Sequence, residues 1–284
     1  MKRCQTYRKA QVILLLLLLG IAWSATARAG SGAQPTLFAE LYNETISLGR
    51  ENRNLIAMTQ AIQGVRVRIP GLTTVDVYFK QRLGGDSDRD YWNNRGELMG
   101  GVRARFFQKI YLGLFAEYIQ GKYFDLEKPH YRNPYGSNYE DLRYGLIFWQ
   151  GWDRAWSVPE TGRLPLSFWE EIYSEMIHFR RDRNNNIVFL KTKAGLRMLR
   201  VHKTTAGLYG VHHLNLDTNG DFWNNRAELG LGTRVKPWTD IGLSLFVEFL
   251  KGTYLERNGR YANPYPMKYD ELRVGLIFWY GREF

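Results

Sequence analysis

The 284-residue chain is 24% charged and 44% hydrophobic, a balance that excludes both a disordered polymer and a bundle of membrane-spanning helices. The formal charge is +11, but Lys2, Arg3, Arg8, Lys9 and Arg28 lie in residues 1–29, which hold no acid, so the remainder carries +6. Arg and Lys alternate with apolar residues and form no block, so no nucleic-acid partner is expected.

The first predicted element is a leader. Lys2, Arg3, Arg8 and Lys9 precede an apolar run from Val12 to Ile21, and Ala27-Arg28-Ala29 offers a small-residue cleavage site. The run is shorter than the ~20 residues of a spanning helix. Residues 1–29 therefore read as a signal peptide and 30–284 as the exported body. The only cysteine, Cys4, falls in the leader, so the exported body forms no disulfide.

The body is written twice. Trp92-Asn93-Asn94-Arg95-Gly96-Glu97-Leu98 returns 131 residues later as Trp223-Asn224-Asn225-Arg226-Ala227-Glu228-Leu229. Leu114-Phe115-Ala116-Glu117 returns as Leu245-Phe246-Val247-Glu248, and Gly145-Leu146-Ile147-Phe148-Trp149 as Gly275-Leu276-Ile277-Phe278-Trp279. Repeat one spans 36–151, a linker 152–166, and repeat two 167–284. Period-two alternation predicts strands at 36–49, 54–69, 73–84, 91–106, 110–124 and 139–151, then at 168–181, 186–201, 204–217, 222–237, 241–255 and 269–283. Twelve is an even number, and many of these strands are long enough for a tilted membrane crossing.

The two faces of each strand differ in kind. Leu243, Leu245, Val247 and Phe249 share one face of the eleventh strand, with Ser244 and Glu248 on the other. A soluble sandwich also alternates, but its outer face has no need of repeated paired charges. Lipid outside and a wet lumen inside account for both faces. The expected fold is all-β: a twelve-stranded antiparallel transmembrane β-barrel made of two six-stranded repeats, in the outer membrane of a Gram-negative bacterium. Its lumen is expected to be lined by Glu40, Glu44, Arg95, Glu97, Arg103, Glu117 and Arg143. From the second repeat it is expected to receive Glu171, Glu175, Arg226, Glu228, Arg234, Glu248 and Arg273. Phe284, ending an alternating aromatic strand, reads as a signal for the barrel assembly machinery.

Gly101-Val102-Arg103-Ala104-Arg105, then Leu112-Gly113-Leu114-Phe115-Ala116-Glu117-Tyr118, then Asp141-Leu142-Arg143-Tyr144-Gly145-Leu146 form a recurring block. Over 91–151 and 222–282 the chain resembles the C-terminal barrel of the bacteriophage adsorption protein NfrA. It is also similar to the membrane-spanning barrels of exopolysaccharide secretins of the PgaA and BcsC type. That resemblance implies a polysaccharide-related role, with polysaccharide or periplasmic export components as partners. Those families place a tetratricopeptide scaffold before the barrel, which this sequence lacks.

Residues for chemistry are sparse. His212 and His213 are neighbours in a strand and point to opposite faces; His178 has no evident serine partner, and no Gly-x-Ser-x-Gly is present. No catalytic residue, metal site or cofactor is expected. Asp86-Ser87-Asp88-Arg89-Asp90 and Asp217-Thr218-Asn219-Gly220-Asp221 resemble calcium loops faintly, but read better as polar hairpin turns. The outer loops carry Tyr131, Asn133 and Tyr135, and again Tyr261, Asn263 and Tyr265. Such residues stack on sugars or anchor a rim among lipid and lipopolysaccharide headgroups. The functional expectation is a channel or export component for a hydrophilic solute or polymer such as exopolysaccharide. The alternatives are an enzyme acting on outer-membrane lipid or lipopolysaccharide, and a structural or receptor barrel.

Overall fold

The computed structural model describes residues 35–49, 54–69, 73–107, 110–124, 136–155, 167–238, 241–256, 263 and 265–284. The leader and its cleavage site, together with Tyr131, Asn133, Tyr135 and Tyr261, lie outside the described residues.

Twelve strands follow one another: β1 (Pro35–Leu48), β2 (Asn54–Ile69), β3 (Thr73–Asp86), β4 (Arg95–Phe106), β5 (Tyr111–Tyr123) and β6 (Asn138–Ala155), then β7 (Ser167–Phe179), β8 (Asn185–Val201), β9 (Thr204–Asp217), β10 (Arg226–Lys236), β11 (Gly242–Tyr254) and β12 (Lys268–Glu283). Each pairs antiparallel with its sequence neighbours, and β1 pairs with β12, so the sheet closes on itself. No strand edge is left unpaired, which a sheet in hydrocarbon requires. With strands about 4.8 Å apart and tilted about 40°, twelve of them form a backbone cylinder roughly 24 Å across.

The wall has an apolar outside. Leu114, Leu229, Leu231, Leu245, Phe249, Leu272 and Val274 stand exposed, while Phe246, Leu250 and Glu248 from the alternate positions are buried inside. An unpaired Lys or Arg facing the bilayer centre would cost about 2–4 kcal/mol, so the charges turn inward. Closure of the sheet and its two-faced wall make the chain a transmembrane β-barrel of the outer-membrane type.

Inward glycines make room for rings. A Cβ on Gly121 would meet the Tyr139 ring at 2.2 Å, and one on Gly252 would meet the Tyr269 ring at 2.2 Å. Each tyrosine therefore lies flat against the neighbouring strand with its hydroxyl directed along the lumen.

Two predicted strands start late. β4 begins at Arg95 rather than residue 91, and β10 at Arg226 rather than residue 222, because the preceding residues form a hydrogen-bonded turn. β6 runs on to Ala155, into what reads as linker in the sequence. The two-residue β8–β9 turn places His202 at φ 51°, the left-handed conformation that tight hairpins favour. Apart from the 156–166 connection between β6 and β7, the connections are longer at the end that carries the β3–β4, β5–β6, β9–β10 and β11–β12 loops, called here the outer end.

Candidate functional site: the lumen and its outer mouth

The turns at the outer end account for the repeated Trp-Asn-Asn motif. The Asp86 carboxylate accepts from the Asp90 backbone N–H at 2.9 Å, from Asn93 Nδ2 at 2.6 Å and from Asn94 Nδ2 at 3.2 Å. Asn94 Oδ1 in return accepts from the Asp86 N–H at 3.0 Å. Asp217 makes the same bonds with Asp221, Asn224 and Asn225, at 3.0, 2.8 and 3.0 Å. The first aspartate of each apparent calcium loop is thus spent on N–H donors. Among the described residues no cluster of three or more His, Cys, Asp or Glu could hold a metal.

A second anchor lies one hairpin away. Asn54 Oδ1 accepts from Ser87 Oγ and the Asp88 N–H, at 3.0 and 3.1 Å. Asn185 Oδ1 accepts from the Thr218 N–H, Thr218 Oγ1 and the Asn219 N–H, at 3.2, 3.1 and 3.2 Å. Both asparagines are buried. The turns are fixed to the wall on two sides, and the residue each presents is a tryptophan.

Those tryptophans meet. The β3–β4 and β9–β10 turns stand six strands apart in a ring of twelve, on opposite walls. Trp92 and Trp223 stack across the mouth with ring centroids 5.0 Å apart and planes 10° from parallel. Tyr91 packs edge-on against Trp92 at 5.0 Å, and Phe222 against Trp223 at 4.9 Å. Tyr123 and Tyr139 continue one side of this aromatic layer, Tyr254 and Tyr269 the other. Beneath Trp92 a cavity of about 180 Å³ is bounded by Glu44, Met58, Arg82 and Arg95.

Below the mouth the predicted lumen residues fall into tiers. In the outer tier Glu97 accepts from Tyr139 Oη at 2.6 Å and pairs with Arg95 at 3.4 Å and Arg82 at 3.5 Å. On the opposite wall Glu228 accepts from Tyr269 Oη at 2.7 Å and Arg273 Nη2 at 2.5 Å, with Arg226 at 3.9 Å. Its second oxygen lies 2.9 Å from His213 Nδ1. In the middle tier Glu117 binds Tyr78 Oη at 2.7 Å, Arg143 Nε at 2.6 Å and the Lys80 ammonium. Glu248 binds Tyr209 Oη at 2.8 Å and Lys193 Nζ at 2.5 Å. In the inner tier Asp76, wholly buried, accepts from Arg66 and Arg103 at 2.8 and 2.7 Å. Arg66 and Arg103 both reach Glu40 at 3.1 Å, and Arg234 bonds Glu171 at 2.9 Å while lying 4.0 Å over the Trp169 ring. Glu44 and Glu175 accept from Tyr42 and Tyr173, two residues before each, at 2.8 and 2.9 Å.

All fourteen predicted lumen residues therefore make polar contacts inside the wall. Sequence reasoning missed Asp76, Lys80, Lys193 and the tyrosine donors, although each sits at an inward-facing position of its strand. It also missed that not every cation partner is carried over with its acid. Val211 stands where Lys80 would recur, and Glu248 takes its lysine from β8 instead. Arg143 serves Glu117, whereas Arg273 serves Glu228.

The histidines take structural contacts. His178 bonds Asn186 at 3.0 Å and stacks on Tyr144, and His213 faces inward while His212 faces out. Tyr265 lies in the aromatic layer 6.3 Å from Tyr254, and Asn263 Oδ1 accepts from its N–H at 2.9 Å. Phe284 is exposed at the inner end, its N–H donating to Leu37 O at 2.9 Å.

No family model matches the chain, and no curated protein is similar to it. Among solved structures it is similar to the β domain of the Bordetella autotransporter BrkA, at 10% identity and TM-score 0.34, covering 86% of this chain and 98% of that one. The translocator domain of the autotransporter NalP from Neisseria meningitidis gives 11% identity and TM-score 0.30, covering 95% and 97%. The COG4313 outer membrane channel from Pseudomonas putida F1 gives 11% and 0.34, covering 88% and 98%. The barrel assignment itself rests on the closed strand pairing described above.

Proposed function

We propose that this chain is an outer-membrane conduit for a hydrophilic solute or polymer, held shut at rest. One observation carries the reading: two side chains on turns from opposite walls, Trp92 and Trp223, stack across the mouth, while the wall behind them is lined with ionisable groups. Separating the stack would expose tiers that water can hydrate, whereas a barrel filled with aliphatic side chains would resist wetting. A lumen of this width, reduced by its side chains, suits an extended chain or a small solute better than a folded protein. The resemblance of 91–151 and 222–282 to exopolysaccharide-secretin barrels makes a polysaccharide the first cargo to try.

A filled structural or receptor barrel is the second reading, favoured by the complete burial of Asp76 among arginines. Planar-bilayer recording separates the two. The conduit reading expects brief openings of the refolded protein. It further expects that Glu117→Gln with Glu248→Gln, which strips Lys80, Arg143 and Lys193 of their counter-charges, moves the reversal potential in a salt gradient towards anion selectivity. Absence of any conductance, with or without added polysaccharide, contradicts it. So does a selectivity unmoved by that pair of changes.

A further inference from the structure

On the lipid side of the wall, the apolar belt ends at its outer edge in a basic groove. The outward residues of β11 run Leu243, Leu245, Val247 and Phe249, then Lys251 and Thr253. Those of β12 begin with Lys268 and Asp270 before Leu272, Val274 and Leu276. Lys251 stands opposite Asp270, and Thr253 opposite Lys268. His212 joins the same row through Leu229, which is paired with both His212 and Lys251. Ala227 puts little bulk between these groups, and the depression has a volume of about 650 Å³.

The same depression occurs 131 residues earlier, with a volume of about 530 Å³, bounded by Leu98, Gln120, Gly121, Lys122, Asn138 and Glu140. The shape is kept and the charge is not. Gln81, Gln120 and Asn138 stand where the later groove has His212, Lys251 and Lys268. The earlier groove balances one lysine with one acid, while the later one sets two lysines and a histidine against Asp270, the Glu228 beneath it being paired with Arg273 in the lumen. Lys251 and Lys268 occupy diagonal positions on neighbouring strands, about 7–8 Å apart at their backbones.

We propose that the later groove binds the phosphate groups of an outer-leaflet lipid headgroup, a phosphorylated glycolipid above all. Two ammonium groups at that spacing can each take one phosphate of a doubly phosphorylated headgroup. Their aliphatic stems lie along the edge of the apolar belt with the charges at headgroup depth. Acyl chains of the same lipid then run down Phe249, Leu272 and Val274, which are continuous with the groove and exposed. That continuity favours a lipid over a free anion. The proposal rests on the wall facing a bilayer and is independent of whether the lumen conducts.

The duplicate groove supplies the control. The refolded barrel in neutral detergent is titrated with fluorescently labelled diphosphorylated lipid A, with the dephosphorylated lipid and inorganic pyrophosphate as comparators. Lys251→Gln with Lys268→Asn, which installs the earlier groove's residues at those two positions, is expected to weaken binding at least about tenfold, the loss of charge-assisted contacts to phosphate. Gln120→Lys with Asn138→Lys is expected to add a second binding equivalent. Folding of each variant is checked by heat-dependent gel mobility; should the double change not fold, Lys268→Asn alone, at the first position of β12, is read instead. Unchanged affinity in the lysine variants overturns the proposal. Equal binding of the dephosphorylated lipid does so too, as does pyrophosphate competing as well as the lipid.

Discussion

Replacing Trp92 and Trp223 together with alanine is expected to raise the time-averaged conductance of the refolded barrel at least about tenfold. A stacked aromatic pair contributes about 0.5–1.5 kcal/mol beyond the area it buries, and the burial of two indoles adds to that. Since 1.4 kcal/mol is a factor of ten in a population, loss of the stack shifts a closed mouth well towards open. The two rings share one contact, 5.0 Å between centroids, so either single change should produce most of the effect and the double change should add little. The turns themselves should survive, because Asp86, Asn94, Asp217 and Asn225 hold them without the indoles. The measurement is single-channel recording of wild type, both singles and the double. A double variant that opens no more often than wild type would contradict closure at the mouth.

Asp76→Ala is expected to cost about 3–5 kcal/mol of stability. Asp76 is wholly buried and accepts from Arg66 and Arg103, with Arg105 at 3.5 Å. Removing one partner from a buried ionic cluster leaves charge without its counter-charge, the costly half of the exchange. Arg66 and Arg103 keep Glu40, and Arg66 keeps Glu283 at 2.6 Å, which places the effect towards the lower end of that range. Glu171→Gln is the contrast. Its pair with Arg234 sits at the corresponding level of the opposite wall, but Glu171 is about a third exposed, so solvent screening should hold its loss to about 1 kcal/mol or less. Urea midpoints in lipid vesicles, followed by heat-dependent gel mobility, compare the two. Equal effects would show that the Asp76 cluster is wetter than its burial indicates.

The strands were legible because a membrane wall enforces period two: β2 and β9 match their sequence-read bounds, and most others shift by a few residues at the ends. The inward acids were legible for the same reason. What alternation does not encode is partnership across non-adjacent strands. Lys193 reaches Glu248 over two intervening strands, and no spacing in the sequence signals that meeting. The Trp-Asn-Asn motif was visible as a repeat but not as a turn. Its strand-like flanks concealed Asp86 and Asp217, whose carboxylates draw the chain out of the ladder. That Trp92 faces Trp223 depends on ring closure placing two hairpins on opposite walls, a consequence of topology rather than of local pattern.

The two sides of the wall meet different solvents. In a Cys4→Ser background, single cysteines at Leu243, Ser244, Leu245, Phe246 and Val247 can each carry a spin label in vesicles, read against oxygen in the lipid and a nickel chelate in the water. Labels at Leu243, Leu245 and Val247 should be open to oxygen and closed to nickel, and those at Ser244 and Phe246 should not share that signature. Loss of the alternation, or nickel reaching every position alike, would contradict a barrel embedded in lipid.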